Sequence, residues 1–257
     1  MTTAKKRKVT AKSRKIKKDV PFEVASLRAK VSEFFKRSEV IGKTTISIGQ
    51  IRWAVYAFFD YDAEPIYVGQ TKEGVGVRVG RHLTGQRSDA VAKSVLDPFE
   101  VRSIHVYPLI EFQLVRDKKT SEYKQAKKHL DGLEFEVYSK LKKDSKFDAV
   151  LNEAIPKEGD VVAVAVPLPL TATLVSEEVF NLRGNRDIRA ARRAQTIASL
   201  SKSISEREVT LGIRQTFLTQ AKRLQQIASE NLDYFKKGKS KAEIRADAAP
   251  ENEDESP

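Results

Sequence analysis

The 257-residue sequence contains no cysteine. Disulfide bonds, thiolate zinc sites and cysteine nucleophiles are therefore excluded for this chain. Long apolar runs are also missing, since none approaches the ~18 residues that a membrane span needs. The basic first residues are not followed by an apolar segment, which argues against a secretory signal. We therefore expect a cytoplasmic protein that has no membrane partner.

Charge is abundant in the sequence but unevenly distributed. The net charge is +12, and a positive balance favours a polyanionic partner because each phosphate contact releases a counterion. Residues 1–20 hold nine Lys or Arg and one Asp, so they carry +8 and leave only +4 (12 − 8) for the rest. Residues 251–257 hold four acids. We predict a disordered basic arm at 1–20 and a disordered tail at 236–257.

The apolar periodicity predicts an α+β fold, in which a small three-stranded antiparallel sheet is flanked by helices. A helix is expected after Pro21 and another at about 121–143. The alternating segments at 51–59, 66–68 and about 99–110 predict the three strands. A further apolar strand is predicted at 160–166.

Only helical patterns follow the prolines at 167 and 169. We predict two or three antiparallel helices within 170–235, with a capping box at Ser205 and Glu208. The predicted organisation is thus a first domain at 21–166 and a C-terminal helical unit at 170–235. That unit would serve DNA binding or dimerisation, so a homodimer stays open.

Several aromatic and charged residues that are capable of acid–base chemistry follow one another in the first domain. Tyr56 ends an Ala-Val-Tyr triplet on the first strand, and Tyr67 begins a Tyr-Val-Gly triplet that ends at Gly69 on the second. Arg78 comes eleven residues after Tyr67, and His82 follows four residues later. A tyrosine pair alone indicates no more than cross-strand packing, but the ordered set is more specific.

The pattern continues with Glu134, on the helix in Leu-Glu-Phe-Glu-Val-Tyr, and with Asn152. This order and spacing resembles the GIY-YIG nuclease family over residues 51–152. Ala54 stands where the family has its first glycine, and the interval from the glutamate to the asparagine is long. Glu136 could also match the glutamate of the family. We prefer Glu134, because Val137 and Tyr138 follow it by three and four residues, as an apolar pair does in the family.

The resemblance implies a metal-dependent endonuclease that hydrolyses DNA phosphodiester bonds. Glu134 would bind Mg²⁺, or Mn²⁺ as a substitute, because Mg²⁺ needs few carboxylate ligands. The planar guanidinium of Arg78 suits the phosphoryl oxygens. Tyr56 would orient or deprotonate the attacking water, and His82 would carry its proton. Tyr67 would bind the phosphate or hold Tyr56.

Two further residues, Gly69 and Asn152, would position the substrate. The spacing i, i+3, i+7 also gives one helix face three arginines that could contact phosphates, namely Arg186, Arg189 and Arg193. A restriction-like or stand-alone enzyme is the preferred interpretation. The alternatives are a DNA-repair structure-specific nuclease, a catalytically silent DNA-binding protein, and a histone-like or ribosomal accessory protein.

Overall fold

The fold belongs to the predicted α+β class. The computed structural model describes residues 20–41, 44–83, 96–150, 152 and 162–237. The predicted basic arm and disordered tail lie almost entirely outside these residues. The helices are α1 (Phe22–Lys36), α2 (Val75–Leu83), α3 (Ser121–Asp144), α4 (Glu177–Arg183), α5 (Arg186–Glu206) and α6 (Leu211–Lys236). The strands are β1 (Ser38–Ile41), β2 (Thr44–Ser47), β3 (Ala54–Phe59), β4 (Pro65–Thr71), β5 (Ser103–Pro108) and β6 (Leu170–Thr173).

The central sheet has the strand order β4-β3-β5-β6, and every neighbouring pair is antiparallel. Strands β3, β4 and β5 are the three that the sequence predicts. Strand β6 adds a fourth, in which Thr173 pairs with Ser103 and Leu170 with Val106. Strands β1 and β2 form a separate hairpin. The segment predicted to be wholly helical therefore begins with an edge strand of the first domain's sheet.

Helices cover both faces of the sheet, so all six residues of β3 are buried. Tyr56 and Phe58 share one core with α1, α2 and the C-terminal helices. Val55 and Ala57 point the other way and share a second core with α3. This alternation is the pleat expected of a strand. Within the described residues, every helix is too short or too polar to span a membrane.

The strand predicted at 160–166 is not present in its described part, residues 162–166. That segment lies against α3, where a Cβ added to Gly132 would overlap the carbonyl of Val162. Val164 and Val166 pack on the same core as α3. An apolar run of this length covers a helix as readily as it forms a strand, which explains the error.

The long C-terminal helices α5 and α6 are antiparallel, as predicted. Arg193 on α5 donates to Gln220 on α6 at 3.0 Å, and Asn231, near the far end of α6, donates to Asp187 at the start of α5. Partners therefore run in opposite directions along the two helices.

The predicted capping box was wrong. Ser205 lies in the last turn of α5, and its hydroxyl donates to a carbonyl of the same helix. Helix α6 begins later, at Leu211, and its N-cap is Thr210, whose hydroxyl accepts from the backbone N–H of Ile213 at 3.4 Å. Both serine and threonine suit an N-cap, so the chemistry of the cap alone could not choose between them.

The prediction that Arg186, Arg189 and Arg193 contact DNA was also wrong, because this face of the helix is turned into the protein. The side chains of Arg189 and Arg193 are only 3% exposed. Arg186 is 16% exposed, forms an ion pair with Glu230 at 3.3 Å and stacks on the ring of Tyr234. These guanidiniums are committed to internal partners.

Carboxylates in the turn between β3 and β4 and just before β5, most of them buried, hold Arg189, Arg193 and a third arginine, Arg223. Arg193 donates to Asp60 at 2.7 Å and to Glu100 at 3.2 Å. Arg189 donates to both oxygens of Asp62. Arg223, on α6, reaches Glu64 at 3.5 Å and Asp60 at 3.4 Å. A guanidinium taken out of water needs such compensation, and it is supplied here by carboxylates instead of DNA. This set of residues is called the ion-pair network below.

Candidate active site

The two tyrosines predicted to be catalytic, Tyr56 and Tyr67, contact His82 in one buried aromatic cluster. Tyr56 and Tyr67 lie on neighbouring strands, with ring centroids 6.1 Å apart and ring planes at 29°. The Tyr56 hydroxyl is 2.9 Å from Nε2 of His82, which projects from α2. The ring of His82 also contacts that of Tyr67, with centroids 5.0 Å apart. A phenol hydrogen-bonded to an imidazole can pass on a proton.

Gly69 leaves the space that this cluster occupies. It is paired with Tyr56 across β3 and β4. A Cβ at this position would lie 2.7 Å from the Tyr56 hydroxyl oxygen and 2.8 Å from Cε1 of Tyr67. Both separations are shorter than non-bonded atoms tolerate. The glycine of the Tyr-Val-Gly triplet is therefore required by the close approach of the two phenol rings.

Glu134, on α3, lies beside the same edge strand at Gln70, the residue that follows Gly69. The side-chain amide of Gln70 donates to Glu134 at 2.8 Å and to Asp131 at 3.0 Å. Burial raises the pKa of Glu134 to about 7, and the Asp131 carboxylate adds to the rise. The hydrogen bond from Gln70 and the positive charge of Arg78 oppose it. Arg78 on α2 is thus close enough to act electrostatically on the carboxyl group of α3.

Asn152 has a structural role at the outer side of β4. Its side-chain amide donates to the carbonyl of Val68 at 2.8 Å, and its carbonyl oxygen accepts from the backbone N–H of Val68 at 3.0 Å. One side chain thereby satisfies both polar groups of an edge-strand residue, as a neighbouring strand would. Asn152 fixes the strand that carries Tyr67 and Gly69, so it positions the site from behind.

Two polar residues of this site, Gln70 and Asp131, were not singled out from the sequence. Asp131 precedes Glu134 by three residues, a spacing that places both on one flank of a helix. Gln70 follows Gly69 directly, and the alternation of the strand turns it to the α3 side of the sheet. Both signals were present in the sequence. Glu136 lies about 200° around the helix from Glu134, on another flank.

The donor set suits a hard divalent cation that keeps most of its water. No group of three or more His, Asp or Glu side chains forms a cage in the part of the chain that the structure describes. Mg²⁺ needs only one or two carboxylates, because water and substrate phosphate complete its shell. Glu134 and Asp131 supply hard oxygen atoms on one flank. Burial and the nearby Asp131 carboxylate both raise the pKa of Glu134, so its charged form is disfavoured where no cation is bound.

Comparisons of the chain with profiles of known protein families, with curated proteins and with solved structures give no match. The similarity to GIY-YIG nucleases therefore depends on the residues described above.

Proposed function

We propose that this chain is a metal-dependent endonuclease, restriction-like or stand-alone, that hydrolyses phosphodiester bonds of DNA. One observation carries the proposal. Residues that are distant in sequence but match the GIY-YIG order lie on or beside edge strand β4, with the aromatic cluster on one face of the sheet and Glu134 on the side of α3. They are Tyr56, Tyr67, Gly69, Arg78, His82, Glu134 and Asn152.

Hydrolysis requires a water molecule to attack phosphorus while a P–O bond breaks. In the tautomer of His82 in which Nε2 accepts, Tyr56 donates its proton to that nitrogen and offers its oxygen to the attacking water. As water attacks, the Tyr56 oxygen would take a proton from it while the phenol's own proton shifts fully to Nε2 of His82, and the leaving oxygen of the broken P–O bond would take a proton from solvent. Tyr67 keeps the phenol of Tyr56 in place by ring stacking.

Charge must also be stabilised on the phosphoryl oxygens. Arg78 presents several N–H groups in one plane, which fit two oxygens at once. Mg²⁺, when bound, supplies further charge and polarises the phosphoryl group. Glu134 would hold it, and Gln70 fixes the orientation of that carboxylate with its amide.

The burial of Tyr56, whose side chain is wholly inaccessible, favours a second candidate. In that case the aromatic cluster serves only as core, and the chain is a catalytically silent DNA-binding protein. The two candidates differ in whether DNA bound to the chain is cut.

The test is the incubation of purified protein with supercoiled plasmid in Mg²⁺ or in EDTA. The proposal expects nicked and linear DNA only with Mg²⁺. Glu134→Gln should lose cleavage while it keeps DNA affinity, because the carboxylate acts on the metal and not on the duplex. Glu136→Gln is the matched control and should retain cleavage. Wild-type protein that binds plasmid without cutting it would favour the silent DNA-binding protein, and an active Glu134→Gln variant would overturn the metal ligand.

A further inference from the structure

Exposed lysines share one flank of α3 with the carboxylates of the candidate site. Gln70 bonds to Asp131 and Glu134, so this flank faces edge strand β4. Lys124 and Lys127 precede those acids at spacings that keep all four on the same side of the helix. Lys127 confirms the placement directly, since its Nζ lies 3.7 Å from Oδ2 of Asp131.

These lysines are open to solvent. The side chain of Lys127 is 56% exposed, and Lys124 is exposed as well. Their positions on the helix put them about 10 Å and 15 Å from Glu134 along its axis, at 1.5 Å per residue. They thus extend away from the candidate site in a line.

Two more cations lie at the end of β4, beyond Gln70. Lys72 is exposed, and its carbonyl accepts from the Arg52 guanidinium at 3.2 Å. The first turn of α3 lies over the same end of the sheet, because the ring of Tyr123 contacts that of Trp53 at 5.0 Å between centroids. Arg52, Lys72, Lys124 and Lys127 therefore lie toward the same end of the sheet, and we call them the basic flank.

We propose that the basic flank binds the phosphate backbone of duplex DNA and guides one strand to Glu134. The inference rests on the proposed function, because it takes DNA as the substrate. One strand of a duplex carries a charge every 3.4 Å along the axis. Lys127 and Lys124 therefore match phosphates about three and four steps from the one at Glu134. Lysine contacts of this kind place the duplex without reading its sequence.

The ion-pair network supports the assignment of DNA binding to the basic flank, because it accounts for the arginines that would otherwise compete for this role. Arg189 and Arg193 of α5 are enclosed by carboxylates and have little exposed surface. Lysines on the flank of α3 are exposed instead, and they lie on the helix that also supplies Glu134. Charge complementarity to a polyanion is thus found next to the candidate site.

The experiment compares two double variants that remove the same charge from the same helix. Lys124→Gln/Lys127→Gln changes the basic flank. Lys140→Gln/Lys143→Gln is the control, since both residues are exposed and lie on the far side of α3. Affinity for a fluorescent 20-base-pair duplex is measured by anisotropy in EDTA, where no cleavage occurs, over a range of salt concentrations.

Loss of two phosphate contacts should lower the slope of log affinity against log salt by about 1.8. At 0.1 M salt the same relation gives a loss of affinity of roughly 10- to 60-fold. The control should bind like the wild type. Equal affinities for the two double variants, or no DNA binding by the wild type, would overturn the basic flank.

A parallel plasmid assay with Mg²⁺ separates this inference from the proposed function. Cleavage by the wild type, together with unchanged affinity in Lys124→Gln/Lys127→Gln, refutes the flank and leaves the nuclease intact. Reduced affinity in that variant, without cleavage by the wild type, refutes the nuclease and retains the flank as a DNA-binding surface.

Discussion

Asp60 is the residue whose replacement should test the ion-pair network most directly. It follows β3 and is 1% exposed. Its Oδ1 accepts from the backbone N–H groups of Asp62 and Glu64, at 2.9 Å and 3.1 Å, which shapes the turn between β3 and β4. Its Oδ2 faces the guanidiniums of Arg189, Arg193 and Arg223 at 3.5, 2.7 and 3.4 Å. Asp60→Asn keeps an acceptor for the turn but removes the charge that three arginines share.

The size of the effect follows from the charges that stay buried. Three buried guanidiniums face three buried carboxylates, those of Asp60, Glu64 and Glu100. Asparagine leaves the three buried guanidiniums facing only two buried carboxylates, besides the half-exposed Asp62, and turns an amide donor toward groups that also only donate. Removing one partner of a buried ion pair costs about 3–5 kcal/mol. Because native proteins are stable by only about 5–15 kcal/mol, this loss is a large share of the total.

The assay is equilibrium unfolding in urea, followed by circular dichroism, at pH 7. Asp62→Asn is the matched control, because its carboxylate contacts Arg189 but is 44% exposed and therefore screened by solvent. We expect a loss of about 1 kcal/mol or less for this control. A loss below 1 kcal/mol for Asp60→Asn, or equal losses for the two variants, would refute the idea that the network stabilises the fold through buried charge.

Two further predictions concern the candidate site. Gly69→Ala should lower the free energy of unfolding by about 1–3 kcal/mol and slow DNA cleavage, because the new methyl group overlaps the phenols of Tyr56 and Tyr67. The control is Gly80→Ala in α2, where the methyl group meets no described atom within 4 Å and should be tolerated. Both variants are compared with the wild type in a thermal melt and in a cleavage assay. Equal effects of the two substitutions would contradict the close approach of the phenol rings to Gly69. Glu134 has a folded-state pKa of about 7 against an ordinary 4.5, so its contribution to stability is present below pH 4.5 and lost as pH rises through 7. In metal-free buffer at pH 8, the free energy of unfolding of Glu134→Gln, measured in urea, should therefore exceed that of the wild type by at most about 3 kcal/mol. At pH 4.5 the two proteins should be equally stable. A difference that does not change with pH would show that the pKa of this carboxyl group is not raised.

The elements that the sequence predicts well are those whose local pattern and final environment agree. Strand β3 is rich in aromatic and β-branched residues, and α3 has an apolar stripe from Leu130 to Leu141. The tyrosines and Gly69 could be placed because hairpin strands pair in a register fixed by a short turn. The expectation that His82 acts together with Tyr56 came from the resemblance to the GIY-YIG pattern, and in the structure the two side chains are 2.9 Å apart.

The errors arose where one pattern serves two environments. Strand β6 is an edge strand with alternate residues exposed, so it has little apolar content to announce it. The i, i+3, i+7 spacing of Arg186, Arg189 and Arg193 describes one helix face, but spacing does not say what that face meets. Whether that face meets protein or solvent depends on acids that are distant in sequence, Asp60 and Glu100. In the sequence, Asp60 has the appearance of an ordinary turn residue.

The location of those acids links the C-terminal helices to the candidate site. Asp60 and Glu64 bracket the turn that joins β3 to β4, and these strands carry Tyr56 and Tyr67. The arginines that hold the turn come from α5 and α6, while Leu200 and Ile213 of the same helices share a core with Tyr56. The C-terminal helices therefore hold the turn between β3 and β4 and pack on the core that contains Tyr56. Because Arg189, Arg193 and Arg223 are held by those carboxylates, the proposed contact with DNA is expected of other cations, and Lys127 of the basic flank lies about 10 Å along α3 from Glu134.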